Sequence, residues 1–274
     1  MKPQLDMDLA EFRAQIGEAL TQGETQTLAR LSDEELAVLD PEEMFIPKPH
    51  LSAMESQQRE WALATALRSL VSRGTVEILN VEDLDAVLRG APDVQIDMRI
   101  QIEIDLALTL RRTADRALAV KQQSAAGTAY GYVHVHAANL LLVERITAGG
   151  MHLFTLASKV QDAAELVQPL LDPYGVADRD GESSSLEPSV LDREHVGSLA
   201  GVIDKARVVG ELVLLKDPPG PMMMTYATDR AVWTVVVDSP HAPSGITARP
   251  VSPATLTHHI AAMLTAANPE TPHA

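Results

Sequence analysis

The sequence predicts an α+β fold in which antiparallel β-sheet is flanked by helices and built from two similar β-β-β-α halves with pseudo-two-fold symmetry. The first observation is VQIDMRIQIEIDLALTL at 94–110, where every even position is apolar and all but one of the odd positions between are polar. The second is a series of turn signals about 10 to 14 residues apart, the spacing of hairpin-linked strands. The third is a repeat of the same order of elements about 94 residues further along the chain.

Composition narrows the classes of function. The 274 residues can form one large domain or two small ones, and 38 acidic against 22 basic residues give a net charge of −16, which repels nucleic acid and anionic membranes. No apolar run approaches the roughly 20 residues of a membrane helix, and the acidic start MKPQLDMDLAEF is unlike a signal peptide. The absence of cysteine excludes disulfides and thiol chemistry. We therefore expect a cytoplasmic protein that binds neither nucleic acid nor membranes.

Residues 1–48 are predicted to form an acidic N-terminal helical extension. Apolar residues three or four apart between Leu5 and Leu20 indicate an amphipathic helix. In LSDEELAVLD, Ser32 and Glu35 have the spacing of a capping box, which predicts the start of a second, short helix.

A longer helix is predicted in LSAMESQQREWALATALRSLVSRG, with Gly74 as its left-handed stop. One broad face of this helix is apolar and is expected to face the core. It carries Trp61, Leu63, Ala64, Leu67, Leu70 and Val71. Because a tight turn and a strand follow, a regulator with a winged-helix element at Ser52 to Asn80 is an alternative, although the net charge argues against DNA binding.

The alternation at 94–110 predicts β-strand with one face buried and one exposed, as in antiparallel sheets. Because this stretch is long for one strand, 94–99 is expected to be a lead-in or a separate strand. Turn signals at 113–115, 124–127, 137–139 and 148–150 then predict a meander. An amphipathic helix is predicted to follow it in KVQDAAELVQPLLDP and to end before Pro173.

The remaining residues repeat this plan. A polar segment at 173–195 is rich in Gly, Ser and Pro and is predicted to be a linker between a first α+β half at 49–172 and a second at 196–274. Each half has three strands, a Ser that can cap a helix, and an amphipathic helix, although chance convergence on a common unit remains an alternative. Since a half alone leaves a sheet edge or face uncovered, the two are expected to complete one composite domain, either by joining their sheets or by packing them back to back.

His134 and His136 are the best candidates for a metal site. They lie two apart on a predicted strand, so both rings point to one face, as in two-histidine metal sites. The carboxylate and third histidine of a cupin are missing, so exposed histidines on a strand face are the simpler interpretation. An enzyme that uses this face for a metal or small ligand is kept as an alternative. The phosphate-binding loops and the hydrolase and zinc-protease motifs are absent from the sequence.

In layout the chain resembles the EspG family, the chaperones of actinobacterial type VII (ESX) secretion systems. The resemblance rests on the acidic helical N-terminal region, the helix ending ALRSLVSRG and the twice-used strand-strand-strand-helix unit, and it spans most of 30–267. It implies a central antiparallel sheet flanked by helical bundles. It also implies a non-enzymatic task without cofactor or metal, namely holding the apolar tip of a helical PE/PPE-like secretion substrate pair in the cytosol.

If the resemblance holds, the partner contacts are expected in the loop at 122–128 and in the helical C-terminal region. The predicted contact residues in the loop are Gln122, Gln123, Ser124, Gly127 and Thr128. A hairpin connection with no binding role is the alternative for this loop, and a homodimer is also left open.

Overall fold

The computed structural model describes Glu18 and residues 25–41, 46–80, 97–137, 140–186, 197–215, 222–237 and 246–265. Within these residues the chain forms twelve strands and seven helices. The strands are β1 Gln26–Ser32, β2 Val76–Ile78, β3 Met98–Ile100, β4 Arg116–Ser124, β5 Gly127–Ala137, β6 Leu140–Ile146, β7 Met151–Ala157, β8 Ser184–Leu186, β9 Val208–Leu215, β10 Met222–Ala227, β11 Val232–Val237 and β12 Ile246–Val251. The helices are α1 Asp33–Leu39, α2 Pro49–Ser52, α3 Ser56–Ser72, α4 Ile102–Thr113, α5 Val160–Leu171, α6 Gly197–Ile203 and α7 Pro253–Thr265.

Ten of the strands form one antiparallel sheet with the order β1-β7-β6-β5-β4-β9-β10-β11-β12-β8. The four turns predicted between 113 and 150 separate α4 from β4 and join β4 to β7, so the predicted meander is confirmed. Strands β4 and β9 pair in the middle of the sheet, with Val120 opposite Leu212. A separate small sheet pairs β2 with β3. The fold is therefore mixed α+β with a large antiparallel sheet, as the sequence predicts.

Helices cover both faces of the large sheet. On one face α5 and α7 pack against each other and against strands from both sides of the β4–β9 pair. On the other face α1, α3 and α4 cover β1, β6 and β7, whereas α6 packs on β11 and β12. Residues of alternating burial along β9 fit a strand whose one face lies under the helices.

The sequence prediction for 94–110 is wrong over its second half, because residues Ile102–Thr113 form helix α4. The same apolar residues also fit a helix, because Ile104 and Leu108 are four residues apart. Ala107 and Arg111 lie three and seven residues after Ile104, on the same face of that helix. All four are buried. Leu, Ala and Arg favour helix, and Arg111 and Arg112 lie in the last turn, where the helix dipole favours cations. At the start of the stretch, residues 94–96 lie outside the described part of the chain, and Met98–Ile100 forms a strand.

The structure confirms two predictions about helix ends and contradicts one about a core residue. The capping box of α1 is confirmed, since the Glu35 N–H donates to Ser32 Oγ and the Ser32 N–H donates to Glu35 Oε2, both at 3.2 Å. Gly74 ends α3 with φ of +69°. Trp61 was expected in the core, but it is 65% exposed, because the buried face of α3 is centred on Ala66 and Leu70.

The terminal and linker segments are described only in part. Within the predicted helical extension at 1–48, β1 is a strand at the edge of the large sheet, which corrects that prediction for its described part. The helix predicted between Leu5 and Leu20 lies outside the described residues except for Glu18, which is helical. The predicted linker at 173–195 contains β8, which pairs with β12, and its residues 187–195 lie outside the described part.

Gly210 on β9 gives helix α5 room to approach the sheet. A Cβ at this position would collide with the Thr225 hydroxyl and a methyl group of Leu171. We expect Gly210→Ala to lower the free energy of unfolding by about 1–3 kcal/mol through overpacking, as measured by urea denaturation. Gly201→Ala is the matched control, because Gly201 lies in α6 with open space at its Cβ and alanine favours helix. An equal loss in both variants would contradict this account.

Candidate functional site

The predicted contact loop is the β4–β5 hairpin. Ser124 pairs with Gly127 across the turn, so that only Ala125 and Ala126 form its tip. Gly127 has φ of +114°, and a Cβ there would lie 3.2 Å from Ala148 Cβ in the β6–β7 turn. The backbone conformation therefore favours glycine, and the close approach of the two turns leaves little room for a side chain.

These two turns and the end of α5 enclose a groove of about 510 Å³, hereafter the hairpin groove. Of the predicted contact residues, Gln122, Ser124 and Gly127 line it, whereas Gln123 and Thr128 are not among the lining residues. The remaining lining residues come from the β4–β5 tip, β5, β6, the β6–β7 turn, β7, the end of α5 and the residues directly after it. They are Ala126, Ala129, Arg145, Ile146, Thr147, Ala148, Leu153, Pro169, Leu170, Pro173 and Tyr174.

The walls of the hairpin groove are mainly apolar. Leu153, Leu170 and two prolines form them, and Arg145 is the one charged residue among those lining it in the described part of the chain. Tyr174 lies at the groove and is 55% exposed. The Arg207 guanidinium lies 5.3 Å from the centre of its ring, and this contact favours a fixed ring orientation. Such a groove fits apolar side chains of another protein better than a charged small ligand.

His134 and His136 lie on the face of β5 that carries α4, so the prediction that they share a face is confirmed. They are not exposed, however: His134 is buried and His136 is half-buried. His134 Nε2 lies 3.2 Å from Glu144 Oε2, and His136 Nε2 lies 2.8 Å from the Leu110 carbonyl oxygen. Burial lowers the pKa of His136 despite that hydrogen bond. Within the described residues no group of three or more His, Asp or Glu side chains is arranged to hold a metal ion.

Next to His134 lies a buried ion network that the sequence analysis did not find. Its centre is Glu144 on β6, whose Oε2 accepts from Arg111 Nε at 3.0 Å and whose Oε1 lies 2.7 Å from His152 Nδ1. Arg111 Nη1 donates to Asp40 Oδ2 at 2.9 Å. The side chains of Glu144, Arg111, Asp40 and His152 are fully buried. Since solvent does not reach them, we interpret the network as structural, joining α1 and α4 to the sheet.

We interpret His152 as positively charged in this network. Its second ring nitrogen, Nε2, lies 2.7 Å from Asp33 Oδ1, so each ring nitrogen faces a carboxylate and both must carry a proton to donate. Burial alone would lower the pKa of His152, but the hydrogen bonds to Asp33 and Glu144 raise it. Burial alone would likewise raise the pKa of Glu144, but hydrogen bonds from His134 and His152 and the Arg111 charge hold it well below its usual range.

Because the pKa of His152 is raised in the folded state, the free energy of unfolding decreases at alkaline pH. Its contribution is fully present below the unfolded pKa of about 6.5 and is lost as the pH rises through the folded pKa. We expect the free energy of unfolding from urea titrations to fall as the pH is raised from about 6.5 into the alkaline range. Tyr132 stays neutral in that range, because burial and the nearby Glu144 charge raise its pKa to about 12. His152→Gln should flatten this slope, whereas a wild-type stability that rises over the range would contradict the charge assignment.

Two comparisons of the sequence with known proteins found no match. No protein-family model matches the sequence, and no curated protein matches it significantly. None of the helices in the described part is long and apolar enough to cross a membrane.

Proposed function

We propose that this is a cytoplasmic protein-binding protein, an EspG-like chaperone that holds the apolar tip of a helical PE/PPE-like secretion substrate pair. It catalyses no reaction and uses no cofactor. The observation that carries the proposal is the hairpin groove: three of the five contact residues predicted from the sequence line a cavity of about 510 Å³ with mainly apolar walls. Grooves of this kind bind the apolar face of a partner helix.

The arrangement of the sheet supports the same proposal. Strands β4 to β7 followed by α5, and β9 to β12 followed by α7, have the same order of elements. They meet at the antiparallel β4–β9 pair, and α5 packs against α7 on one face. Two halves joined in this way would have the pseudo-two-fold symmetry that the EspG resemblance implies. The hairpin groove lies at the end of the first half, where two turns and the C-terminal end of α5 meet.

The residues around the groove favour an apolar protein tip over a charged ligand. Leu153 and Leu170 offer apolar surface, and Tyr174 offers an aromatic ring that the Arg207 guanidinium contacts. Aromatic residues held in this way are typical anchors of protein interfaces. The net charge of −16 disfavours binding to nucleic acid.

A test of the proposal uses a purified, co-expressed PE/PPE-like pair and titration calorimetry. We expect Ala126→Arg to weaken binding by about tenfold or more, because it places a charged side chain among the groove-lining residues. Ala125→Arg is the matched control: Ala125 is the exposed neighbour in the same turn and does not line the groove. Tyr174→Ala should weaken binding by a similar factor through loss of the aromatic anchor. Absence of binding to any such pair, or equal effects of the two arginine variants, would overturn the proposal.

A further inference from the structure

A second groove, hereafter the Trp61 groove, lies between α3 and the start of α1 and has a volume of about 440 Å³. One wall is the side of α3 that carries Trp61 and Thr65 and adjoins the buried stripe at Ala66. Small side chains form most of this wall and leave space beside the large ring of Trp61. The residues lining the groove are Ser32, Glu34, Glu35, Trp61, Ala62, Thr65, Ala66 and Ser69.

Two acidic side chains line this groove, and two arginines contact its lining residues: Arg73 pairs with Glu35, and Arg68 Nη2 donates to Thr65 Oγ1 at 3.1 Å. Of the lining residues, Glu34 and Glu35 are acidic and none is basic. Glu35 is already engaged, since Oε1 accepts from Arg73 Nη2 at 2.6 Å and Oε2 accepts from the Ser32 N–H. Glu34 has a weaker partner, His50 Nε2 at 3.4 Å, and its side chain remains 15% exposed. A cation that enters the groove therefore meets the Glu34 carboxylate.

Trp61 is the most exposed large hydrophobic side chain in the described part of the chain, at 65%. The core does not require it, because α3 packs through Ala66 and Leu70. Exposed indole surface is costly in water but attracts cations through its negative ring face, most strongly among the aromatic side chains. An exposed indole and a carboxylate at one groove form a pair of contacts that complement one cationic side chain.

We propose that the Trp61 groove binds an arginine side chain of a basic partner protein. The planar guanidinium stacks on the Trp61 ring and donates to the Glu34 carboxylate, which a compact ammonium ion does less well. The aliphatic stem of the arginine lies along the small residues Ala62 and Ala66. Attraction between the Glu34 carboxylate and a cationic side chain favours the approach, and the net charge of −16 adds to it. This inference concerns a different surface from the hairpin groove and does not depend on the proposed function.

The experiment reads Trp61 fluorescence in a Trp233→Phe background, so that Trp61 is the sole tryptophan. The probe is the peptide acetyl-Ala-Ala-Arg-Ala-Ala-amide, and the control peptide carries neutral citrulline in place of arginine. We expect a saturable change in emission with the arginine peptide, with a dissociation constant on the order of 1–10 mM, and a change at least about fivefold weaker with the citrulline peptide.

Variants locate the binding. Glu34→Gln should weaken binding of the arginine peptide about fivefold or more, whereas Glu77→Gln, an exposed acid in β2 away from the groove, should leave it unchanged. Trp61→Ala, followed by calorimetry, should abolish binding, and Trp61→Phe should restore part of it. Circular dichroism verifies that each variant is folded. No saturable change, equal response to both peptides, or unaltered affinity in Glu34→Gln would overturn the inference.

Discussion

Replacing Glu144 by glutamine is expected to lower the free energy of unfolding by about 3–5 kcal/mol, because it removes one charge from a buried, paired set. Glutamine has nearly the shape of glutamate, so the loss reports on charge and hydrogen bonding. The Glu144 carboxylate meets Arg111 at 3.0 Å, His152 at 2.7 Å and His134 at 3.2 Å. An amide cannot neutralise the two cations left in the interior.

Urea denaturation followed by circular dichroism measures this effect. Glu77→Gln is the matched control, since Glu77 is 62% exposed and pairs with Arg99 across the small sheet. Exposed ion pairs contribute about 0–1 kcal/mol, so this control should stay within that range. A Glu144→Gln variant that unfolds at the same urea concentration as the wild type would contradict the charged network.

Replacing Arg111 by methionine is expected to cost about 3–5 kcal/mol as well, since it leaves buried carboxylates with fewer partners. Methionine retains the apolar stem and removes the guanidinium that joins Asp40 to Glu144. Asp40 keeps a partner in Arg112, which donates to its other oxygen at 2.9 Å. Glu144 keeps His152 and His134, so the loss should come from the one guanidinium that both carboxylates share.

The matched control is Arg99→Met, which removes the exposed partner of Glu77 and should change stability by about 1 kcal/mol or less. Combining Arg111→Met with Glu144→Gln gives a double-mutant cycle. Because the two side chains contact each other, the double variant should lose less stability than the two single variants together, by about 1–3 kcal/mol. Strict additivity would show that the two groups do not interact.

The meander from β4 to β7 and the helix after it could be predicted from the sequence, because each strand is bounded by a local turn signal. The stretch at 94–110 could not be assigned by period alone. Its even-numbered apolar residues satisfy a strand, yet Ile104, Ala107, Leu108 and Arg111 also satisfy a helix. Tertiary packing of that stripe against β1 and the sheet selected the helix.

The buried network could not be predicted, since its members are far apart in the chain. Asp33 and His152 are separated by 119 positions, and Asp40 and Arg111 by 71. One local signal was available: Glu144 interrupts the apolar run LLLV of β6, and a charged residue inside a buried strand needs a partner. The spacing of His134 and His136 predicted that they share a face of the strand, but it did not predict their burial.

The residues of the hairpin groove could be predicted only in part from the sequence. The loop at 122–128 was predicted as a contact site from the EspG resemblance, and three of its residues line the groove. The other walls come from the β6–β7 turn and from 169–174, which approach the loop only in the folded chain. Gly127 is the residue whose role could be argued locally, because its positive φ is what a tight hairpin requires.

Amide hydrogen exchange of the chain, alone and saturated with a PE/PPE-like pair, tests the central claim most directly, because it maps the partner's footprint by residue. The proposed binding mode predicts new protection at 122–129, 145–148 and 169–174, the segments that line the hairpin groove. Protection confined to other segments, with these three exchanging as in the free chain, would contradict it.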